Sequence, residues 1–407
     1  MSPRRVAMLS LHTSPLAQPG LGDGGGMNVY VRSLAAALAR AGVECDLLTR
    51  ADRPGVAPVI RLEPGVRVVN LQAGPPRPVA KAELLVHHDE LVDAAARWIG
   101  GPGAADVLHA NYYVSGAVAH TLKHRLGIPM VTTFHTLARA KEGVGIHDDP
   151  ADRVDIETAI VSCADGLVVS TEEERTLLVD VHDAVAERIE VIPPGVDHAV
   201  FTPGRGTRVR RHWKVGDDPV LLVVGRIQPL KGFDLAIRTL AALGHPRAHL
   251  VIVGGPSGAE GEAELARLHA LVAELGLGDR VRFEPPRAHD ALAAYYRAAD
   301  VVLVPSRTES FGLVALEAAA CGVPVVATAV GGLRSVVEHG ASGYIVDDRD
   351  PIAFAAYVRK VLDDSAHAGS LRAGASVAAQ RFTWSIAAAR LRRLYADVPA
   401  RELVRCS

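Results

Sequence analysis

Val301-Val-Leu-Val304-Pro-Ser-Arg-Thr-Glu309-Ser-Phe-Gly-Leu-Val-Ala-Leu-Glu317 decides the fold. Four consecutive apolar residues read as a strand buried on both faces, and they run straight into a glycine-containing turn and a helical pattern. A strand, a turn and a helix N-terminus form an anion site, because free backbone N–H groups point outward there. Glu309 and Glu317 sit at the mouth and in the first turns of that helix. Two acids beside an anion site read as hydroxyl-binding groups next to a phosphate. A nucleotide-sugar offers that combination, a diphosphate flanked by ribose and hexose hydroxyls. The plain alternative is a helix start with Glu309 capping and Glu317 in solvent.

Two further stretches strengthen the reading. Gly225-Arg226-Ile-Gln-Pro-Leu-Lys231-Gly232 follows an apolar run over 220–224, so two cations in a strand-to-helix loop can clamp a diphosphate. Gly22-Asp-Gly-Gly-Gly26-Met-Asn28 opens a predicted helix over 29–41. A side chain at Gly24, Gly25 or Gly26 would block close backbone approach to a sugar or phosphate. The spacing is not that of a dinucleotide fingerprint, which argues against a nicotinamide dehydrogenase.

Short apolar runs alternate with helical patterns along the whole chain, the signature of doubly wound parallel sheets. Predicted strands cover 6–12, 43–49, 66–71, 107–111, 130–134, 167–170 and 189–192, then 220–224, 250–253, 281–284, 301–305, 325–329 and 344–346. Prolines and glycines between 192 and 204 break either element and place a boundary near Val196. The fold class is α/β, with two Rossmann-like domains over 1–195 and 196–384 and a last amphipathic helix within 385–407. A cleft between the domains is the expected ligand site.

Composition sets bounds. A length of 407 residues suits two or three domains, and 49% hydrophobic residues are ample for their cores. With 44 basic against 46 acidic residues, a nucleic-acid partner bound through overall basicity is excluded. The opening segment reads as neither a signal peptide nor a membrane span. Cys45, Cys163, Cys321 and Cys406 are scattered and form no Cys/His zinc pattern, so they read as buried or terminal free thiols in a reducing cytoplasm. His87-His88-Asp89 does not read as a metal site, because adjacent helical histidines cannot easily reach one ion.

The motifs from Gly225 to Gly232 and from Glu309 to Glu317 resemble those of the retaining GT-B glycosyltransferases of family 4, over nearly the whole chain. His12-Thr-Ser-Pro-Leu-Ala-Gln18-Pro19 and the glycine stretch from Gly22 to Tyr30 are similar to the branch that glycosylates inositol 3-phosphate in the mycothiol pathway. The resemblance implies two GT-B domains facing a cleft, the last helix crossing back to the first domain, and frequently a homodimer. It implies that Arg226 and Lys231 stabilise charge growing on the leaving diphosphate. Glu309 would hold hexose hydroxyls, Glu317 the ribose, and Phe311, Gly312 and Leu313 would cap the phosphates. Arg287 aligns with a donor-contacting arginine, and Gln18, Pro19 and Gly26 fall in the donor set. His135, in Thr132-Thr-Phe-His135, matches a histidine that contacts the donor sugar and lets a backbone carbonyl approach the anomeric carbon. No residue is assigned as a nucleophile or general base. The departing phosphate oxygen would take the acceptor proton.

On the acceptor side the resemblance gathers His12, Asp23, Gly25, Met27 and Asn28. A satisfied core histidine and a helix N-cap are the plain readings of His12 and Asn28. Lys81, Tyr112, Thr136 and Arg153 come from four segments and match the residues that grip the acceptor phosphate. Two cations and two hydroxyls converging on one spot suit a phosphate monoester. Departures surround them: Ala82-Glu83 follows Lys81 in place of a Leu-Pro pair, and Asn111 replaces a histidine. Arg307-Thr308 before Glu309 and Gly232-Phe233 after Lys231 also differ from the branch.

The resulting expectation is a cytoplasmic enzyme moving a sugar from UDP-GlcNAc to inositol 3-phosphate, with no required cofactor and no metal among its site residues. The resemblance alone allows a structural Mg2+ near Tyr296 to Ala299. Alternatives are a secondary-metabolite transferase with another small polar acceptor or a GDP-sugar, a sucrose-phosphate-type synthase, and a non-catalytic sugar-phosphate sensor. The partners are the nucleotide-sugar and the small acceptor, with no nucleic acid and no integral membrane contact.

Overall fold

The computed structural model describes residues 3–101, 103–143, 145, 150–258 and 260–406, without the side chain of Ala82. Residues 1, 2 and 407, which fall in the expected domain spans and opening segment, lie outside the described residues. The chain separates into two compact units. One comprises residues up to 17, 27–195 and from 384 onward; the other comprises 18–26 and 196–383. The glycine-rich loop therefore belongs with the second unit although its sequence lies in the first half.

The first unit holds eight strands: β1 (Arg5–Leu9), β2 (Glu44–Arg50), β3 (Val59–Glu63), β4 (Val66–Leu71), β5 (Val107–Asn111), β6 (Met130–Thr133), β7 (Gly166–Val169) and β8 (Ile189–Val191). Their order is β3-β4-β2-β1-β5-β6-β7-β8, parallel except for the β3–β4 pair. The second holds β9 (Val220–Val224), β10 (His249–Val253), β11 (Val281–Glu284), β12 (Val301–Val304), β13 (Val325–Thr328) and β14 (Gly343–Val346). Their order is β11-β10-β9-β12-β13-β14, all parallel. Central strands such as β12 and β13 are buried at every position, which is why they read as apolar runs, and β5 is buried throughout despite its His109 and Asn111. In each sheet the strand order reverses once beside the first strand, between β1 and β5 and between β9 and β12. Ligands of open α/β sheets gather at the carboxyl ends of strands at such switch points.

Three expectations need correction. β3 was not foreseen: Val59-Ile-Arg-Leu-Glu63 is a half-exposed antiparallel edge with a bulge, so it lacks the continuous apolar run of a central strand. β1 ends at Leu9, three residues before His12, because Ser10 turns its hydroxyl onto the Thr13 carbonyl at 2.9 Å and starts a loop. The first helix is Gly26–Arg40, which places Asn28 inside it and removes the N-cap reading.

The helix Trp384–Asp397 packs within the first unit. Trp384 lies edge-on to Tyr30 at 5.7 Å, and the Tyr395 hydroxyl meets His109 Nδ1 at 2.5 Å. His109 is fully buried, and burial pushes its pKa down to about 3, so it is neutral. Cys45 and Cys321 are buried free thiols, but Cys163 and Cys406 bring their sulfur atoms together, contrary to the reading of four separate thiols. A separation of 243 residues hides that pairing from any local pattern.

Candidate functional site

In the second unit the site grows from the ends of β9 and β12. Gly225 follows β9, and a short 3-10 turn, Pro229–Lys231, carries Lys231 back toward β12. Gly232 then adopts a φ of +65°, where a Cβ would stand 2.2 Å from the Pro305 carbonyl oxygen. Only glycine satisfies both the left-handed backbone and that approach. Lys231 Nζ donates to Glu309 Oε2 at 2.7 Å, and Ser306 Oγ donates to the same oxygen at 3.1 Å. The cation expected at the diphosphate and the carboxylate expected at the hexose thus neutralise one another, half-buried.

Gly312, at φ +101°, turns the chain into the helix Leu313–Ala320, and a Cβ there would lie 2.6 Å from Leu333 Cδ2. This helix buries Glu317. His289 Nε2 donates to its Oε1 at 2.6 Å, and the Tyr296 hydroxyl donates to its Oε2 at 2.7 Å. Both oxygens are oriented, and each keeps a lone pair for a further donor. The alternative of a solvated Glu317 is wrong, since the side chain is only 6% exposed. Burial and the facing carboxylate hold the Tyr296 phenol well above its usual range.

Arg226 reaches Ser257 Oγ at 3.4 Å, and that hydroxyl donates to the Gly22 carbonyl. Gly25 faces the same guanidinium, with a Cβ position 3.1 Å from Arg226 Nε. At Gly24 a Cβ would stand 2.5 Å from the Gln18 carbonyl oxygen, and at Gly26 3.3 Å from Leu313 Cδ1. The need for small residues here is already set by protein atoms, before any ligand approaches. Gln18 Nε2 donates to the Pro286 carbonyl at 3.4 Å, which ties the loop to the segment of Arg287. Arg287 Nη2 donates to Glu284 Oε2 at 2.6 Å and lies over the Tyr295 ring at 5.4 Å.

In the first unit the site gathers at the ends of β1, β5 and β6. Tyr112 and His135 adopt φ values of +77° and +63°. The other two non-glycine residues with positive φ among those described, Asp183 and Lys214, close helices. Tyr112 and His135 instead end strands beside the switch point, where such conformations cost ~1–3 kcal/mol each and persist only if surrounding contacts enforce them. His135 Nε2 donates to Asn111 Oδ1 at 2.9 Å, and its ring stands edge-on to Tyr30 at 4.8 Å. Burial, helped by His109, pushes its pKa down to about 3, so it is a neutral hydrogen-bond donor and not a cation.

Arg153 is fully buried. Its Nε donates to Glu157 Oε1 at 2.7 Å, Nη1 to the Tyr112 hydroxyl at 3.0 Å, and Nη2 to the Thr136 carbonyl at 2.6 Å and hydroxyl at 3.3 Å. It lies over both the Tyr112 and Tyr113 rings at 4.8 Å. Lys81 Nζ lies 6.0 Å from the Tyr112 ring centre, and the His12 ring lies 4.3 Å from that ring, tilted by 38°. Lys81, Tyr112, Thr136 and Arg153 therefore meet around one tyrosine, and the solvated alternative for Arg153 is wrong. Glu157 was not foreseen; its second oxygen accepts from the Ala138 amide at 3.0 Å and completes the network. Asn28 Nδ2 donates to Thr13 Oγ1 at 3.1 Å and to the Ser14 carbonyl at 2.6 Å, holding the loop after His12. Asp23 and Met27 flank the glycine run on its two sides, in different units.

Comparison with known proteins fits this architecture. Residues 25–195 match the "Glycosyl transferase 4-like domain" and residues 207–379 the "Glycosyl transferases group 1" family. The chain is similar to the D-inositol 3-phosphate glycosyltransferase of Acidothermus cellulolyticus, 46% identical over 98% of this chain and 91% of that protein. It is 46% identical to the protein of the same name from Mycolicibacterium smegmatis, over 94% of this chain and 89% of that one. Among solved structures, a sucrose-phosphate synthase from Thermosynechococcus elongatus aligns with a TM-score of 0.91 at 34% identity, covering 98% and 99% of the two chains. Two Rossmann-like units, the two family matches and the similarity to these proteins define a glycosyltransferase of the GT-B class. Within that class, the chain belongs to the family that includes the D-inositol 3-phosphate glycosyltransferases.

Proposed function

We propose that this glycosyltransferase moves N-acetylglucosamine from UDP-GlcNAc to the inositol ring of inositol 3-phosphate, with retention of anomeric configuration. One observation carries the acceptor class: Arg153, Tyr112, Thr136 and Lys81, from four segments, converge beside the strained end of β5. Two cations and two hydroxyls at one point match a phosphate monoester. The names of the similar proteins point to inositol phosphate as its bearer.

In this reading Arg226 and Lys231 bind the donor diphosphate, and Lys231 leaves Glu309 for it. The freed Glu309 accepts hydroxyls of the hexose, while Glu317, held by His289 and Tyr296, accepts from the ribose. Phe311 to Leu313 offer amides to the phosphates at the helix start. As the glycosidic bond breaks, negative charge grows on the leaving phosphate beside two fixed cations, and that stabilisation is the main catalytic term. The leaving oxygen takes the acceptor proton on the same face. His135, neutral and fixed by Asn111, orients the donor sugar. No step needs a metal. The carbonyl of Ala298 already accepts from Arg210 Nη1 at 2.8 Å, so one of the oxygens around Tyr296 to Ala299 is taken by a cation of the chain itself. The proposal includes a cytoplasmic homodimer, as the resemblance implies; among the described residues no helix is long and apolar enough to cross a membrane.

A second reading, a hexose-phosphate acceptor as in a sucrose-phosphate-type synthase, is favoured by the similarity to that solved structure and by Asn111 in place of the usual histidine. Both readings share the phosphate. One assay separates them: the protein is incubated with UDP-GlcNAc, UDP-Glc or GDP-sugars, with inositol 3-phosphate or fructose 6-phosphate, and nucleoside diphosphate release is followed by mass. Release confined to UDP-GlcNAc plus inositol 3-phosphate is expected. Release only with the hexose phosphate would replace the first reading by the second.

A further inference from the structure

Away from both ligand sites, the first unit assembles a constellation that its sequence conceals. His120 and His124 lie one helical turn apart on the helix Tyr113–Leu126, so both imidazoles leave the same face. Cys163 is the last residue of the helix Arg153–Cys163, and Cys406 lies on the C-terminal tail. His124 Nε2 is 2.9 Å from Cys406 Sγ and 3.3 Å from Cys163 Sγ, and His120 Nε2 is 3.3 Å from Cys406 Sγ. All four ligand atoms lie within 4.8 Å of one another.

We propose that His120, His124, Cys163 and Cys406 form a tetrahedral structural zinc site. Two thiolates and two imidazoles are one of the standard closed ligand sets for Zn2+. With Zn–S near 2.3 Å and Zn–N near 2.0–2.1 Å, a nitrogen–sulfur edge of such a tetrahedron is about 3.5 Å, so two of the three spacings, at 3.3 Å, are close to what an ion needs and the third, at 2.9 Å, would lengthen by roughly 0.6 Å. The two sulfur atoms, in bonding contact here, would move apart by about 2 Å to span their edge of the tetrahedron, as a χ1 rotation of Cys406 on its irregular tail would do. The Cα atoms of the two cysteines, 5.0 Å apart, also suit a disulfide. A disulfide, however, has no use for two imidazoles aimed at the sulfur atoms, whereas an ion does.

Charge and anchoring agree. Binding displaces two thiol protons, so Zn2+ with two thiolates and two neutral imidazoles is electrically neutral. The neighbouring charges cancel on their own: Lys123 Nζ donates to Asp165 Oδ1 at 2.8 Å and to the Cys163 carbonyl at 2.6 Å. Asp165 Oδ1 also accepts from the Val404 amide at 2.7 Å, so the tail is held in place beside the cluster. The ion would staple three elements: the tail, the helix that begins after Tyr112, and the helix that begins at Arg153. Those two helices pack closely at Gly116, where a Cβ would lie 2.7 Å from Ile160 Cδ1. A staple at their far ends would hold Tyr112 and Arg153 in register.

The test is cobalt binding by the full chain, reduced and stripped of metal. One equivalent of Co2+ should give a thiolate-to-cobalt charge-transfer band and the intense d–d envelope of a tetrahedral ion. One equivalent of Zn2+ should displace both, and two protons should be released per ion. His124→Ala and Cys406→Ser, both at accessible positions and checked for folding by circular dichroism, should each abolish the bands, while Cys45→Ala keeps them. Thermal melting should move to lower temperature on metal removal in the parent and not in Cys406→Ser. Absence of the bands in the reduced protein, or bands that survive His124→Ala unchanged, would overturn the proposal. So would recovery of Cys163 and Cys406 as a cross-linked peptide from protein that binds no cobalt when reduced.

Discussion

The two units solve the same problem, fixing charged groups at a sheet's switch point, in opposite ways. The second places Lys231 and Glu309 on turns that glycines permit, leaves the pair half-buried, and lets each serve as the other's temporary partner. The first buries Arg153 with Glu157 completely and drives Tyr112 and His135 into left-handed backbone without glycine. A half-buried pair can open toward a ligand at small cost. A fully buried pair can only be broken at large cost. Under the proposed function, the donor side rearranges on binding and the acceptor side is built in advance.

The largest effect should therefore come from the rigid side. Arg153→Ala removes the buried cation that faces Glu157, and breaking a buried pair in this way costs about 3–5 kcal/mol. Urea titration of the variant should show the loss; an unchanged midpoint would mean that the network carries no load. Lys231→Ala should leave stability nearly untouched and lower kcat by about 10²–10³, the usual loss on removing one donor to a developing oxyanion. A stability loss in place of a rate loss would erase the contrast between the units. Lys81→Ala, on the half-exposed rim, should raise the acceptor KM by roughly tenfold with the donor KM unchanged, since one exposed charge-assisted contact is worth about 1.4 kcal/mol or a little more.

The buried imidazoles of the first unit add a pH dependence. His109 and His135 have folded pKa values of about 3, below the 6.5 of an unperturbed imidazole. The unfolded chain then binds protons that the folded chain refuses, so stability is full above pH 6.5 and is lost as pH falls toward 3. The expected slope is about 1.4 kcal/mol per pH unit for each histidine in the middle of that window. His109→Gln should flatten it; an unchanged slope would place the acid sensitivity elsewhere.

Legibility in the sequence followed the same divide. The donor motifs are local, 225–232 and 309–317, and their glycine and proline punctuation marks the turns directly. The strands buried on both faces were equally plain, whereas β3, half-exposed at an edge, was not. The four-segment cluster around Tyr112 was readable only through resemblance, because no spacing rule joins Lys81 to Arg153. Glu157, His289, Tyr296 and Ser306 gave too little signal alone; Glu157 follows Arg153 by one helical turn, which in hindsight marks an ion pair. The meeting of Cys163 and Cys406 depends on where the last helix delivers the tail, a consequence of packing and not of local pattern.

In the proposed function, the first unit recognises a phosphate on the acceptor. The direct measurement compares kcat/KM for inositol 3-phosphate and for unphosphorylated inositol, with saturating UDP-GlcNAc, in the parent protein and in Lys81→Ala. The parent should strongly prefer the phosphorylated acceptor, and the variant should show a preference roughly tenfold smaller. Equal discrimination by both proteins, or no preference in the parent, would contradict it.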